Sequence, residues 1–97
     1  MINRRLPLTA TVVVSGGTGT RTITNGTGVV AGYATKAPSG AATYNIEIND
    51  ADGYGYSGKT GNTGDTTFSD LFMADGTMVF VITGTDGTYT VRVWFLY

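Results

Sequence analysis

The segment from Asp50 to Thr60 carries the two patterns in this sequence that most resemble ligand-binding loops. Residues Gly53 to Thr60 match the eight-residue phosphate-binding pattern, with glycines at its first and sixth positions followed by Lys59 and Thr60. A phosphate-binding loop of this kind joins a strand to a helix, whereas Thr60 is followed by Gly-Asn-Thr-Gly, which is not a helical run. The pattern therefore favours an edge strand and a loop over a nucleotide site.

The stretch Asp50-Ala51-Asp52-Gly53 is similar to the opening of a calcium-binding loop, in which oxygen ligands recur at alternate positions. Such a loop needs an oxygen ligand at its fifth position and an acidic residue at its twelfth. These two positions hold Tyr54 and Gly61. A hairpin turn is the better explanation, and no metal site is predicted.

Serine and carboxylate chemistry also lacks its usual partners in this chain. The sequence contains no His and no Cys, so a serine has no histidine base, and Cys-ligated metal sites are excluded. Neither Lys36 nor Lys59 stands in a recognisable Ser-Lys arrangement, and the aspartates that could serve a glycosidase stand mostly in turn signals. The sequence therefore predicts a protein that is not an enzyme and that holds no cofactor. The residues considered are Ser15, Ser39, Ser57, Ser69, Glu47, Asp50, Asp65, Asp70, Asp75 and Asp86.

Aromatic side chains beside amides and carboxylates could hold a sugar through ring stacking and planar hydrogen bonds. Tyr54 and Tyr56 flank Gly55 and would share one strand face. The polar, glycine-rich stretch 57–65 that follows is expected to be an exposed loop. The alternative function is therefore a carbohydrate-binding or receptor-binding β-sandwich module, although tyrosines also favour strands for packing alone. Its sugar-binding residues would be Tyr54, Tyr56, Lys59, Asn62 and Asp65.

Charge and hydropathy exclude two classes of partner. Six Lys and Arg residues against seven Asp and Glu residues give a net charge of -1, and only Arg4 and Arg5 are adjacent cations. This pattern supplies no basic surface for nucleic acid, whose binding depends on phosphate contacts. No stretch approaches the roughly 20 apolar residues that span a bilayer, so no membrane helix is predicted. Only 13% of residues are charged, against about 25% in ordinary domains, which suggests that a partner covers part of the surface.

The whole chain, 1–97, is expected to form one domain, because its length suits a single core. Residues 1–6 are expected to be an N-terminal arm. The arginines and the apolar residues after them loosely mimic a signal peptide, but Pro7, Thr9 and Thr11 interrupt the apolar run. A first strand is therefore predicted there, and secretion is not expected.

Alternation with a period of two and turn dipeptides predict an all-β fold. The chain has 18 Thr and 15 Gly, and no window shows an apolar stripe at helical spacing. Asn-Gly or Asp-Gly pairs at 25–26, 52–53, 75–76 and 86–87 favour two-residue hairpin turns, because both residue types tolerate positive φ. These turns predict an antiparallel β-sandwich or a small closed barrel of about seven or eight short strands. The expected strands are 8–14, 18–24, 27–35, 43–51, 54–58, 66–74, 77–84 and 88–96, with loops at 36–42 and 57–65.

The last predicted hairpin is apolar on both faces. A two-residue turn at 86–87 would place Ile82 opposite Val91 and Phe80 opposite Val93. The face with Phe80, Ile82, Tyr89, Val91, Val93 and Phe95 is expected to be core. The other face needs a covering partner, unless a bulge or a register slip places Trp94 in the core. The expected interface residues are Val79, Val81, Trp94 and Leu96, with Arg4 and Arg5 of the arm contacting the neighbouring protein.

The stretch from Thr43 to Val93 has a recognisable order of motifs. A strand at 44–49 leads into Asp-Ala-Asp-Gly, glycines follow at 58, 61 and 64, and Thr-Asp-Gly-Thr-Tyr-Thr-Val at 85–91 closes the order. This order resembles that of small all-β virion proteins of tailed bacteriophages. The resemblance implies a head decoration (cement) protein or another accessory capsid or tail subunit, located in the virion after synthesis in the host cytoplasm. It also implies a homo-oligomer, with a trimer favoured, and a larger capsid or tail protein as partner.

Overall fold

Seven antiparallel strands and no helix make up residues 6–96, the part of the chain that the structure, a computed structural model, describes. The all-β prediction is confirmed. The predicted strands 18–24 and 27–35 are one continuous strand, and residues 72–84 also form a strand without a turn. The strands are β1 (Leu8–Val14), β2 (Thr18–Lys36), β3 (Thr43–Asn49), β4 (Gly55–Thr63), β5 (Thr66–Phe68), β6 (Phe72–Gly84) and β7 (Gly87–Phe95).

The seven strands form one sheet in the order β1-β7-β2-β6-β3-β4, with β5 paired to β2 as a side branch. The first part of β2 pairs with β6, and its last part pairs with β7 and β5. The sheet folds over itself. This is shown by the rings of Tyr44 on β3 and Tyr89 on β7, which are 5.0 Å apart although their strands are not neighbours in the sheet. β1 and β4 remain two separate edges, so the fold is sandwich-like and is not the closed barrel of the alternative prediction.

The core lies inside the folded sheet and follows the alternation of the sequence. On β1 the even-numbered residues from Ala10 to Val14 are buried, whereas Thr9 and Thr11 are exposed. Burying a Val or Ile side chain contributes about 1.5–3 kcal/mol, so this alternation decides which face of each strand turns inward. Phe95, predicted as core, is only half-buried. The predicted core residues that are buried are Tyr44, Ile46, Ile48, Phe80, Ile82, Tyr89, Val91 and Val93.

Two of the four predicted turns lie inside strands, directly opposite each other. Gly26 on β2 pairs with Gly76 on β6, and a register shift separates this pair from Ile23. Gly76 has a φ of 131°, and a Cβ on Gly26 would stand 2.5 Å from Cε of Met78. The turn predictions at 25–26 and 75–76 were wrong, because residue pairs that tolerate a tight turn also tolerate an irregularity within a continuous ladder.

The predicted hairpin at 86–87 was also wrong. β6 pairs with β2 and β3, whereas β7 pairs with β1 and β2, so the chain passes from one part of the sheet to another after β6. The residues predicted to oppose each other, Ile82 with Val91 and Phe80 with Val93, therefore lie in strands that are not neighbours. The predicted inward and outward faces of β6 and β7 are nevertheless correct. The alternation of side chains along a strand does not depend on which strand is its neighbour.

The hairpin predicted at Asp52-Gly53 does join β3 to β4, but residues 50–54 separate the paired residues Asn49 and Gly55, so the connection is longer than the predicted two-residue turn. The Asp50 carboxylate closes it, since its Oδ1 accepts the backbone N–H groups of Asp52 (2.9 Å) and Tyr54 (2.8 Å). Gly53 supplies a φ of 89°. The Asp-Ala-Asp-Gly pattern is thus explained by turn chemistry.

The predicted loop at 57–65 is mostly strand. β4 runs from Gly55 to Thr63 along β3 with two register shifts, and the backbone N–H of Gly61 donates to Asn45 Oδ1 (2.9 Å). Glycine-rich, polar sequence therefore interrupted this edge ladder without ending it. The other predicted loop is confirmed at 37–42, while Lys36 itself belongs to β2.

Candidate functional site

Trp94 and Leu96, two of the predicted interface residues, lie on an apolar patch at the end of β7. Trp94 is 37% exposed and Leu96 is 52% exposed. The backbone N–H of Leu96 donates to the carbonyl oxygen of Val29 (2.8 Å), and Val29 pairs with Met73 on β6, which is 61% exposed. Leu71, two residues before Met73, is exposed as well. The apolar patch is defined here as Val29, Leu71, Met73, Trp94 and Leu96.

Val79 and Val81 lie elsewhere on the molecule. They are half-buried on β6 and pair with threonines in the first part of β2, whereas Trp94 pairs with Gly32 in its last part. The structure therefore does not bring the four predicted interface residues together, because β6 and β7 are not neighbours. The other two predicted contacts, Arg4 and Arg5, lie outside the described residues 6–96.

The two tyrosines of the predicted sugar site have different surroundings. Tyr54 is 75% exposed just before β4. The ring of Tyr56 stacks on Phe72 (centroids 5.3 Å apart, 11° between planes), and its hydroxyl donates to Asp75 Oδ1 (2.6 Å). Burial raises the pKa of Tyr56, and the hydrogen bond to Asp75 raises it further. One face of the Tyr56 ring is thus already occupied, so the two rings do not offer a shared, open platform.

Of the polar members of the predicted sugar site, Lys59 and Asn62 lie together and Asp65 lies apart. Lys59 forms an ion pair with Asp70 (Nζ to Oδ2, 3.8 Å), and the side-chain amide of Asn62 donates to the Lys59 carbonyl oxygen (3.1 Å). Asp65 Oδ1 instead accepts the backbone N–H of Ala37 (2.9 Å). Asp65 also lines a groove on the outward side of β2.

A polar network that the sequence did not reveal links β2, β4 and the segment before β6. Ser57 donates a hydrogen bond to Asp70, so the Tyr33 hydroxyl must be the donor in its 2.7 Å contact with the Ser57 hydroxyl oxygen. Asp70 also forms the ion pair with Lys59. Burial raises the pKa of Tyr33 despite the opposing effect of its hydrogen bond to Ser57. The network fastens the edge strand β4 to the centre of the fold.

An open groove of about 480 Å³ lies on the outward side of β7, β2 and β5. Its floor is Ala34, which pairs with Arg92 on one side and with Thr67 on the other. Side chains of paired residues point to the same face of a sheet, so the longer side chains on β7 and β5 stand as walls around the small floor residue. The groove is lined by Ala34, Thr35, Lys36, Asp65, Thr66, Thr67, Thr90, Arg92 and Trp94.

Charge in the groove is unbalanced. The side chains of Arg92 and Lys36 form no ion pair or hydrogen bond with any residue between 6 and 96, and Asp65 is the one carboxylate in the lining. Sequence reasoning could not assemble this site, because its residues come from three strands and a turn. The sequence did contain one signal for this site. Arg92 and Trp94 alternate along one predicted strand, and the small residues Gly32 and Ala34 alternate along another.

Among the described residues, no group of three or more acidic side chains could hold a metal ion, and no helix could cross a membrane. A scan against protein-family models finds no match for this chain. A search of the curated proteins finds no significant match either.

Proposed function

We propose that this protein is a non-enzymatic virion structural subunit, of the head decoration (cement) type or a related accessory capsid or tail subunit. It assembles with copies of itself through the apolar patch, as a trimer, and the trimer attaches to a larger shell protein. The observation that carries this proposal is the patch, in which the exposed Met73 of β6 and Leu96 of β7 flank the half-buried Val29 of β2. Connected exposed apolar surface of this kind marks interaction sites.

The patch contrasts with the outer face of the first part of β2. Along the first part of β2 the outward residues are exposed threonines at 18, 20, 22 and 24. Met73 and Leu96, by contrast, are unbranched or γ-branched apolar side chains that leave 61% and 52% of their surface in water. Water contact of this kind is unfavourable, so covering the patch is a source of binding free energy.

The size of the patch favours a multivalent assembly. Covering Leu71, Met73 and Leu96 yields at most about 1.5–3 kcal/mol each, while association costs about 4–15 kcal/mol in lost freedom. One patch alone therefore gives weak attachment. A closed trimer covers three such patches at once and presents three copies of its outer surface to a repeating shell, so its attachment gains by effective concentration.

The surroundings of Ser57 support a structural role. Ser57 donates a hydrogen bond to Asp70 and accepts one from Tyr33, so both its donor and an acceptor position are used inside the protein. The order of motifs that resembles tailed-phage virion proteins supports the virion assignment in particular.

The test is the oligomeric state of two matched serine variants, measured by light scattering on purified protein. Met73→Ser lies in the patch and Val13→Ser lies on the outward face of β1, and both positions are 61% exposed. We expect Met73→Ser to dissociate the oligomer and Val13→Ser to leave it intact, with both variants folded by circular dichroism. Equal behaviour of the two variants would contradict assembly through the patch.

A further inference from the structure

The groove floored by Ala34 has the composition of a ligand site and does not belong to the apolar patch, although Trp94 borders both. We propose that it binds an acidic saccharide, a sugar chain that carries carboxylate groups. This function is additional to assembly. Trp94 is shared with the patch, whereas Arg92, Lys36 and Asp65 are not part of it, so assembly must leave the groove side of Trp94 open. The groove volume, about 480 Å³, lies within the roughly 300–1,000 Å³ of small-molecule sites.

Trp94 provides the apolar plate that a sugar ring needs. It stands in the row next to Arg92 on the same outward face of β7, because residues two apart in a strand share a face. The spacing of the two is about 7 Å along the strand. A pyranose ring stacked on the indole therefore places a carboxylate at its C5 position within reach of the Arg92 guanidinium.

Arg92 and Lys36, the two cations of the groove lining, stand close enough on the backbone to share one anion. Arg92 pairs with Ala34, and Lys36 is two residues further along β2, so Arg92 and Lys36 are diagonal neighbours. Diagonal neighbours in an antiparallel ladder are about 7–8 Å apart, a distance that both long side chains can bridge to one anion. Arg92 can bind a carboxylate through two parallel hydrogen bonds.

The opposite wall offers groups for sugar hydroxyls. The carboxylate of Asp65 is oriented by the backbone N–H of Ala37 (2.9 Å), and Thr67 adds a hydroxyl that can donate or accept. Thr90 adds another hydroxyl from β7. The groove thus combines one carboxylate acceptor, two hydroxyls and two cations. This combination matches a ligand that carries both hydroxyls and negative charge. An acidic peptide would use the cations but would bring no ring hydroxyls to Asp65, Thr67 and Thr90, so the saccharide fits better.

The experiment titrates the protein with trigalacturonate and with its fully methyl-esterified form, using calorimetry and Trp94 emission. Trp94 is the single tryptophan, so its emission reports on the groove. We expect saturable binding of the acid and at least about tenfold weaker binding of the ester, which keeps the stacking rings but loses the charge. No saturation up to about 10 mM acid would overturn the proposal. Equal binding of acid and ester, or equal binding of a triglutamate peptide, would overturn it as well.

Charge-matched variants locate the binding. Arg92→Gln should weaken trigalacturonate binding at least about tenfold. Arg21→Gln removes the same charge from an exposed position in the first part of β2, outside the groove, and should change the affinity less than about twofold. An equal loss in Arg21→Gln would mean general attraction of anions and would refute a built site.

The saccharide proposal and the assembly proposal fail separately. Met73→Ser should change the oligomeric state and leave trigalacturonate binding intact, because Met73 does not line the groove. Arg92→Gln should do the reverse. Loss of saccharide binding in Met73→Ser would contradict the independence of the two sites.

Discussion

The carbonyl oxygen of Phe68 packs against Gly32, at a place where no side chain can stand. A Cβ built on Gly32 would be 2.5 Å from that oxygen, which belongs to the backbone and cannot rotate away. We expect Gly32→Ala to lower the free energy of unfolding by about 1–3 kcal/mol, because the new methyl group must push β5 off β2. Urea denaturation measures the change.

Gly40→Ala is the matched control for that substitution. A Cβ on Gly40 meets nothing within 4 Å, and Gly40 is not among the positive-φ glycines. Its effect on the free energy of unfolding should stay within about 0.5 kcal/mol. If the two alanine variants were equally stable, the close approach of Phe68 to Gly32 would be incorrect.

Ser57 connects Tyr33 to Asp70 and should matter for stability more than an exposed serine does. Ser57→Ala removes the hydrogen-bond partner of both groups in a partly buried place, at a cost of about 1–3 kcal/mol. Ser39→Ala, in an exposed loop, should be nearly neutral. The double variant Tyr33→Phe with Ser57→Ala should cost less than the sum of the single variants, since they share one hydrogen bond. Strict additivity in urea denaturation would contradict the network.

The raised pKa values of three tyrosines predict a loss of stability at alkaline pH. Burial raises the pKa of Tyr33, Tyr56 and Tyr89 above the ordinary value of 10.0. The folded chain therefore holds these protons more tightly than the unfolded chain. Their contribution is fully present below pH 10 and is lost as the pH rises through the folded-state pKa values. We expect the free energy of unfolding to fall above pH 10 by up to about 1.4 kcal/mol per pH unit for each tyrosine.

The measurement is urea denaturation at several pH values from 8 to 11. Tyr89 donates its hydroxyl proton to the Thr85 carbonyl oxygen (2.6 Å), a bond that a phenolate cannot make. Tyr89→Phe should therefore show a shallower decline than the unchanged protein above pH 10. Equal stability of the unchanged protein at pH 8 and pH 11 would contradict the raised pKa values.

Local sequence pattern predicted the strands and their faces better than their pairing. The alternation of β3 assigned Tyr44, Ile46 and Ile48 to the core, and the structure confirms this. Alternation depends on each residue and its neighbours in the chain, so it can be read from the sequence. Pairing depends on which strands meet in space, and the dipeptides at 25–26 and 75–76 suit a bulge as well as a turn.

The same limit explains what was missed at the surface. Trp94 was correctly assigned to the outward face of its strand, but its neighbours could not be known before the strand order was. Val29 and Met73 join it because β2 lies between β7 and β6, and Val81 does not because it pairs with the first part of β2. The partner that covers the patch stays a prediction.

The assembly role is tested most directly by the molar mass of the unchanged protein. Light scattering after size-exclusion chromatography over a hundredfold dilution gives the mass. We expect an oligomer, with a trimer favoured, that persists on dilution. A monomer at every concentration would contradict self-assembly through the apolar patch.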